Sequence, residues 1–255
     1  RQIDSSTKCP HYVQFMSIHM RLLILSPHRD DAAFSTGLLT WTTLSVGAHV
    51  TIANVYTQSD YAPYAERAGR VDVSELRKNE DLAYARLLQG SVEMIDLGLL
   101  DAPLRRRIPC EEVLSSSTQD QAFHRDVTQL VAQLQKLAMS DLVLAPCGIG
   151  GHLDHLVCRA AAQAVYSTDR LGYYADLPYH GNFSPSDGGF SRCTVTCSDG
   201  PEIKTRLAGL YPSQISPQLA TEIGLREEEL WLQRGWVGEL QTLLGHQRFS
   251  AENCG

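Results

Sequence analysis

The sequence predicts one α/β domain of Rossmann-like kind, with helices covering both faces of a mostly parallel sheet. Two observations predict this fold. From Arg21 onward, short apolar runs alternate with segments that have the periodicity of amphipathic helices. The chain has 255 residues, of which 43% are hydrophobic, so it can bury one large core, and neither a repeat nor a linker divides it. The domain is expected to span residues 21–255, after an N-terminal tail at residues 1–20 that ends in Met20, a candidate natural start.

The predicted strands are short runs of apolar and β-branched residues. The first, at residues 22–26, is apolar almost throughout, as is typical of a strand buried on both faces. A run at residues 190–197 alternates in polarity and is expected to form an antiparallel strand at one edge of the sheet. The remaining strands are expected at residues 49–56, 92–97, 141–145 and 171–176.

The predicted helices follow these strands in order. The most regular one is at residues 74–88, where Ser74 is the expected N-cap and Gly90 the expected end. A polar stretch at residues 58–72 is expected to form a long surface loop before it. Other helices are expected at residues 31–41, 126–137, 153–165, 202–210 and 219–233.

The overall charge and the cysteines narrow the classes of function. A net charge of −7 argues against nucleic acid as a partner, because binding to phosphates requires a basic face. No apolar run approaches the ~20 residues that a membrane span requires. Seven cysteines without a C-x-x-C spacing are typical of reduced thiols, so an intracellular, cytoplasmic location is expected. We therefore expect a small-molecule substrate, and the sequence leaves homo-oligomerisation open.

Two loops at the ends of predicted strands carry clustered histidine and aspartate. The clusters consist of His28, Asp30 and Asp31 after the first strand and of His152, Asp154 and His155 after the fourth. Because ligands in open α/β sheets bind beyond the carboxyl ends of the strands, the two clusters are expected to meet. Imidazole and carboxylate together suit Zn²⁺ or another divalent ion such as Fe²⁺.

The spacing within each cluster fits a catalytic metal site. His152 and His155 are three residues apart, so at the start of a helix they share one face. Asp30 and Asp31 are adjacent and point apart, so one can bind a metal while the other serves as a general base. Paired aspartates are also common at helix N-termini without any metal. The combination of the two clusters at one sheet edge nevertheless predicts a metal centre.

The two clusters resemble the signatures P-H-P-D-D and H-P-D-H of the PIG-L/LmbE family of zinc-dependent N-acetylglucosamine deacetylases. Here they read Pro-His-Arg-Asp-Asp at residues 27–31 and His-Leu-Asp-His at residues 152–155. Looser similarities at residues 77–80, 97–102 and 210–214 extend the resemblance from about residue 21 to residue 214. The paired motifs are fairly specific for the family but do not specify a substrate.

The resemblance implies roles for three residues of the first motif and for the last residue of the second. His28, Asp31 and His155 would bind the zinc ion, and Asp30 would be the general base. The sequence departs from the family pattern at Arg29, which replaces the usual proline without removing a ligand. It also carries Ala32 where an acidic residue is common.

The resemblance also implies residues that contact the substrate. His152 would donate a proton or a hydrogen bond at the scissile amide, and Asp154 would orient it. A carboxylate so close to His152 is expected to raise the pKa of the imidazole. Arg77 and Asp101 would lie where the family holds sugar hydroxyls. Some members place an oxyanion-stabilising tyrosine at the position of Gly150.

The leading hypothesis is therefore a zinc-dependent hydrolase that removes an N-acetyl or other N-acyl group from an amino sugar or glycosylated small molecule. The alternative is a metal-dependent hydratase of an unsaturated carboxylic acid on the same fold, since some relatives of the family have this activity. A non-enzymatic nucleotide- or sugar-binding module is disfavoured, because the first strand is not followed by G-x-G-x-x-G. Release of acetate would distinguish the two enzymes.

Several residues near these motifs have ordinary structural explanations. Trp231 and Trp236, on or just beyond the last predicted helix, are expected to pack onto the core rather than to cover the site. Residues 105–107 are three consecutive arginines, which are usually a solvated patch. Asp176 ends the fifth predicted strand and Tyr179 follows it at the expected active edge, where both could contact a sugar.

Overall fold

The computed structural model describes residues 20–65, 70–89, 91–114, 118–185 and 188–251. Its described strands form one eight-stranded sheet. The strands are β1 (Arg21–Ser26), β2 (His49–Asn54), β3 (Val92–Asp96), β4 (Leu142–Pro146), β5 (Leu171–Tyr174), β6 (Phe190–Val195), β7 (Glu228–Gln233) and β8 (Phe249–Ala251). Their order across the sheet is β3-β2-β1-β4-β5-β7-β6-β8.

The first five strands run parallel, and the other three are antiparallel to their neighbours. The chain proceeds from β1 to β2 and β3 on one side, whereas β4 and β5 lie on the other side. The loops that follow β1 and β4 therefore leave the sheet in opposite directions and open a crevice between the two strands. The predicted α/β fold with a mostly parallel sheet is confirmed.

Nine α-helices lie in the described ranges. They are α1 (Asp31–Ser35), α2 (Gly37–Ser45), α3 (Arg70–Leu87), α4 (Ala102–Arg106), α5 (Gln121–Leu134), α6 (Leu153–Val165), α7 (Gly200–Ala208), α8 (Pro217–Leu225) and α9 (Arg234–Leu244). A 3₁₀ turn at Cys110–Leu114 follows α4. None of the described helices is both long enough and apolar enough to span a membrane.

Two hydrophobic cores cover the two faces of the sheet. Alternate residues of β1 point to opposite faces, because successive side chains of a strand do so. Ile24 belongs to the core that contains Leu207 of α7. Leu25 belongs to the other core, with Val157 of α6. Since both side chains are fully buried, β1 is covered on both faces, as its apolar sequence predicts.

The helix predicted at residues 219–233 is wrong in its second half. Helix α8 ends at Leu225, and the following residues form strand β7 between β5 and β6. Leu230 and Leu232 pack into one core and Trp231 into the other, which is the two-residue period of a strand. The strand at residues 190–197 is antiparallel as predicted, but it is not at the edge, because β8 pairs with it.

Three helix boundaries also differ from the sequence-based expectation. Helix α3 begins at Arg70, so Ser74 is not its N-cap, and the Ser74 hydroxyl instead donates to the Ser59 carbonyl over 3.3 Å. Helix α5 begins after Asp120, whose carboxylate accepts the N–H of Phe123 over 2.6 Å. The helix expected at residues 31–41 is divided into α1 and α2. The expected end at Gly90 and the tail before Met20 lie outside the described residues.

Candidate active site

The two predicted motifs meet at the crevice between β1 and β4. The first motif forms the loop from β1 into α1, and the second forms the loop from β4 into α6. Strands β1 and β4 are paired in parallel, so both loops lie at the same edge of the sheet. The convergence that the sequence predicts is therefore present in the structure.

His28, Asp31 and His155 form a compact group of metal-ligating side chains. Asp31 Oδ2 lies 3.3 Å from His28 Nδ1 and 3.4 Å from His155 Nε2. One ligand atom from each residue lies within 4.8 Å of the others. Two imidazoles and one carboxylate are a donor set that suits Zn²⁺ and leaves a position open for water and substrate. The predicted ligand residues are thus brought together.

The charges in this group favour a cation at its centre. Burial opposes the charged form of His28, but hydrogen bonds with Asp154 and Asp31 raise the pKa of His28 to about 10. Burial also opposes the charged form of His155, and the carboxylates of Asp31 and Asp176 outweigh it and raise that pKa. The positive charge that protonated His28 and His155 supply to the carboxylates is a charge that a bound dication can also supply.

Each of the two histidines is held by a second carboxylate. His28 Nε2 lies 3.0 Å from Asp154 Oδ2, and His155 Nδ1 lies 2.6 Å from Asp176 Oδ1. The remaining nitrogen of each ring therefore faces Asp31. The function of Asp176 as a partner of His155 is absent from the sequence-based assignment. Its position at the end of β5, the neighbour of β4, is the signal that could have indicated it.

The placement of Asp154 corrects one expectation. Its carboxylate contacts His28 and not the His152 side chain that it was expected to orient. His152 is instead the N-cap of α6, and its Nδ1 accepts the backbone N–H of Asp154 over 3.2 Å. Burial, followed by the nearby His28 and His155, lowers the pKa of His152 to about 3. The expectation of a raised pKa is therefore wrong, and His152 is a neutral imidazole.

A second group, His28, His152 and Asp154, also brings three ligand atoms within 4.8 Å of one another. Both carboxylate oxygens of Asp154 are already engaged there. Oδ1 accepts from Arg105 Nη2 over 2.8 Å, and Oδ2 accepts from the backbone N–H of Ala102 over 2.9 Å. The group around Asp31 is consequently the better candidate for the metal.

Asp30 lies beside the metal group and is paired with an arginine. Arg77 Nη2, from α3, donates to Asp30 Oδ1 over 2.8 Å, and both side chains line the same cavity. The Arg77 side chain is only 5% exposed. Arg77 thus contacts the expected base directly, besides facing the space where a substrate would bind.

Asp101 also lines the cavity and has a structural contact of its own. It is the N-cap of α4, and its Oδ1 accepts the N–H of Leu104 over 3.2 Å. Burial raises the pKa of its carboxyl group. The structure therefore places both predicted substrate-contacting residues, Arg77 and Asp101, at the cavity.

The cavity next to His28, Asp31 and His155, which we call the metal group, has a volume of about 240 Å³. Histidines and aspartates of the two motifs form one part of its lining. Residues of α1, α3, α4, the 3₁₀ turn and three loops form the rest. Its other polar lining residues are Ser59, Tyr61, Arg77, Asp101, Cys110, Tyr179 and Gln214. A cavity with convergent polar groups is typical of a small-molecule enzyme.

Tyr179 occupies space next to Gly150, the position where some family members carry a tyrosine. A Cβ atom at residue 150 would lie 2.6 Å from Tyr179 Cδ1, and Gly150 has a φ of +86°. The Tyr179 ring also contacts the His155 ring edge-on, with 6.0 Å between centroids. Glycine at this position is therefore required by both its backbone conformation and its neighbour.

Arg29 anchors the first motif to two other elements. Its guanidinium donates to Asp96 at the end of β3 over 2.7 and 3.0 Å and pairs with Asp81 of α3. Asp81 in turn accepts the hydroxyl of Tyr211 over 2.9 Å. Glu80 accepts the Ser213 hydroxyl over 2.8 Å, so the looser similarities at residues 77–80 and 210–214 are in contact.

Other candidates from the sequence have packing functions. Trp231 is buried in β7, and Trp236 Nε1 donates to the Asp169 carbonyl over 2.7 Å, so neither covers the cavity. Arg105 and Arg106 are not a solvated patch: their side chains are 12% and 15% exposed and paired with aspartates. The five cysteines among the described residues form no disulfide with one another.

Comparisons with known proteins agree with this site. The family model PIG-L, described as GlcNAc-PI de-N-acetylase, matches residues 23–166. The 2'-N-acetylparomamine deacetylase of Streptomyces fradiae is 36% identical over 233 residues, which cover 86% of this chain and 81% of that protein.

Solved structures show the same fold at lower identity. A deacetylase from the teicoplanin biosynthesis pathway has a TM-score of 0.64 at 21% identity, covering 92% of this chain and all of that one. The 4-carboxy-2-hydroxymuconate hydratase of Pseudomonas putida is more distant, with a TM-score of 0.50 at 14% identity and 92% of each chain covered. The deacetylase hypothesis is confirmed over the hydratase alternative by the closer relative. Because the family model covers more than half of its length, this chain belongs to the PIG-L family of de-N-acetylases.

Proposed function

We propose that the protein removes the acetyl group from an N-acetylated amino sugar of the paromamine type, releasing acetate and the free amine. The observation that carries this proposal is the placement of Asp30 beside the group of His28, Asp31 and His155 at one cavity. The 36% identical deacetylase of Streptomyces fradiae, which covers 86% of the chain, supports the substrate class.

His28, Asp31 and His155 would hold a Zn²⁺ ion, and Asp154 and Asp176 would fix the two imidazole rings. When bound, Zn²⁺ supplies Lewis-acid activation of water and of the amide carbonyl. These residues hold the metal without taking part in proton transfer.

Asp30 is the proposed general base. Its ion pair with Arg77 orients the carboxylate toward the cavity, where a general base is needed. Asp30 takes a proton from the attacking water as the new C–O bond forms. It then returns this proton to the nitrogen as the C–N bond breaks, which gives acetic acid and the neutral amine. The remaining carboxyl proton then passes to the amine or to solvent, leaving acetate.

His152 is the proposed hydrogen-bond donor to the amide oxygen. Its Nδ1 accepts the Asp154 N–H, so the hydrogen of the neutral ring is on Nε2. A neutral imidazole can donate this N–H throughout the reaction without giving up the proton. Stabilisation of a developing oxyanion by one donor is worth about 3–4 kcal/mol.

The charges of the cavity suit a substrate with free amino groups. Asp30, Asp31 and Asp101 line it. Among the described residues that line it, the one lysine or arginine is Arg77, which is already paired with Asp30. Aminoglycoside precursors carry ammonium groups, which such a surface attracts. We also propose a cytoplasmic enzyme that acts without nucleic acid, on the basis of the cysteine spacing and the net charge of −7.

The test is release of acetate by the purified, zinc-loaded protein. N-acetylated paromamine, N-acetylglucosamine and an unsaturated dicarboxylic acid are compared at equal concentration, with product masses determined in parallel. We expect acetate and free amine from the paromamine derivative at the highest kcat/KM. The Asp30→Asn variant is the matched control for non-enzymatic hydrolysis.

Two results would contradict the proposal. Hydration of the unsaturated acid without acetate release would support the alternative reaction. Equal turnover of N-acetylglucosamine and the paromamine derivative would reject the substrate class while leaving the deacetylase activity intact.

A further inference from the structure

Arg105 lies directly behind the first histidine of the metal group. It belongs to α4, and its Nη2 donates to Asp154 Oδ1 over 2.8 Å. Its Nη1 donates to the Leu100 carbonyl over 2.6 Å, and its guanidinium stacks 4.6 Å from the centroid of the Tyr56 ring. These contacts fix the guanidinium on several sides, so it presents one defined edge to Asp154.

Asp154 depends on this guanidinium. The carboxylate is fully buried, and its Oδ2 is shared between the Ala102 N–H and His28 Nε2. Its Oδ1 is bonded to Arg105. A buried carboxylate without a cation or a complete set of donors is strongly unfavourable. Removing the guanidinium would therefore leave Oδ1 unpaired at a site that water does not reach.

The orientation of Asp154 decides which nitrogen His28 offers to a metal. Because Asp154 engages Nε2, the ring turns Nδ1 toward Asp31 Oδ2, 3.3 Å away. A chain of contacts thus extends from Arg105 through Asp154 to the ligand atom of His28.

We propose that Arg105 is a positioning residue of the metal centre, which acts through Asp154 to hold His28 in its metal-binding orientation. This inference rests on the proposed function only in taking His28 as a metal ligand. It concerns metal affinity, so it is tested without any substrate.

Arg106 provides a matched control on the same helix. Its Nε lies 2.9 Å from Asp126 Oδ2, the same oxygen that lies 2.9 Å from Arg105 Nε. Arg106 is similarly buried, but its ion pairs are with Asp126 and Asp120 and not with Asp154. Arg106→Met therefore removes an equivalent charge from α4 and leaves the contact with Asp154 in place.

The experiment measures Zn²⁺ affinity of the metal-free protein by competition with a chromophoric chelator. We expect Arg105→Met to weaken zinc binding by about 10- to 100-fold, as is typical for residues behind a metal ligand. Arg106→Met should bind zinc like the unmodified protein, and Arg105→Lys should recover part of the loss. The absorption spectrum of the Co²⁺-substituted protein should change in Arg105→Met and not in Arg106→Met.

A double variant shows whether Arg105 acts through Asp154. In an Asp154→Asn background, the further change Arg105→Met should alter zinc affinity by less than about 2-fold, because coupled residues are not additive. An equal loss in both backgrounds, or unchanged zinc affinity in folded Arg105→Met, would overturn the proposal. If Arg105→Met does not fold, Arg105→Lys and Asp154→Asn carry the same test. Failure to release acetate would affect the proposed reaction and leave this measurement unchanged.

Discussion

The two histidine–aspartate pairs of the metal group, His28–Asp154 and His155–Asp176, are built differently. Asp154 accepts from the Arg105 guanidinium over 2.8 Å, whereas Asp176 accepts the backbone N–H of Ile149 over 2.9 Å. The contact with the histidine is correspondingly 3.0 Å in the first pair and 2.6 Å in the second. The closer carboxylate makes the stronger hydrogen bond and holds its histidine more firmly.

The two histidines of the metal site therefore need not contribute equally to zinc affinity. We infer that His155 is the stronger zinc ligand and that His28 depends on its surroundings for orientation. Variants that lower kcat and variants that lower zinc affinity distinguish the contributions of these residues.

The largest effect is expected at Asp30, which belongs to neither pair. Asp30→Asn should retain zinc and lower kcat by roughly 10²–10⁴-fold, because it removes the general base. Asp31→Asn should instead weaken zinc binding, since Asp31 faces both histidines. Metal content and kcat are measured on the same preparations. Near-normal turnover by zinc-saturated Asp30→Asn would reject the assignment of the base.

The next effect is expected at His152, which also lies outside both pairs. His152→Ala should lower kcat by about 10²–10³-fold through loss of one oxyanion donor. His152→Gln, which retains an N–H donor, should lower it less. Because the His152 pKa is about 3, the ring is neutral from about pH 4 upward, and its loss should leave the alkaline limb of kcat/KM unchanged. A shift of that limb in either variant would show that His152 is protonated when it acts.

A smaller effect separates the two pairs directly. Asp176→Asn should weaken zinc binding by about 100-fold and Asp154→Asn by about 10-fold, within the range found for partners of metal-bound histidines. Competition with a chelator at constant pH measures both constants. Equal losses in the two variants would show that the shorter contact of Asp176 does not give His155 more support than Asp154 gives His28.

The smallest effect is on thermal stability. At free zinc 100-fold above its dissociation constant, binding stabilises the native state by about 2.7 kcal/mol, which raises Tm by about 5–10 °C in a domain of this size. The same zinc concentration would raise the Tm of Asp176→Asn by only about 1 °C, because a 100-fold weaker site is half-filled. Calorimetry with and without a chelator checks this, and an equal Tm increase would argue that Asp176 does not support the metal.

The parts of the site that could be predicted are those with local sequence signals. The motifs at residues 27–31 and 152–155 follow strands that are recognisable as apolar runs, and parallel strands bring their ends to one edge. Few strand orders are then possible, so a shared site at this edge of the sheet is predictable from the sequence.

The remaining contacts depend on distant segments. Arg29 and its partner Asp96 are 67 residues apart, and Arg105 and Asp154 are 49 apart, so no local pattern links them. Strand β7 was missed because three consecutive glutamates precede a mixed apolar run, which fits an exposed helix as well as a strand. Pairing with β5 and β6 decides between the two, and pairing is a property of the whole sheet.

The contact between Gly150 and Tyr179 has a consequence for how such sites diverge. The two residues occupy one shared volume, since a Cβ at position 150 would overlap the Tyr179 ring. A relative that acquires a large side chain at the first position must lose the ring or move its loop at the second. We expect positions 150 and 179 to covary among relatives, so that an aromatic ring enters the cavity either from the loop after β4 or from the loop after β5.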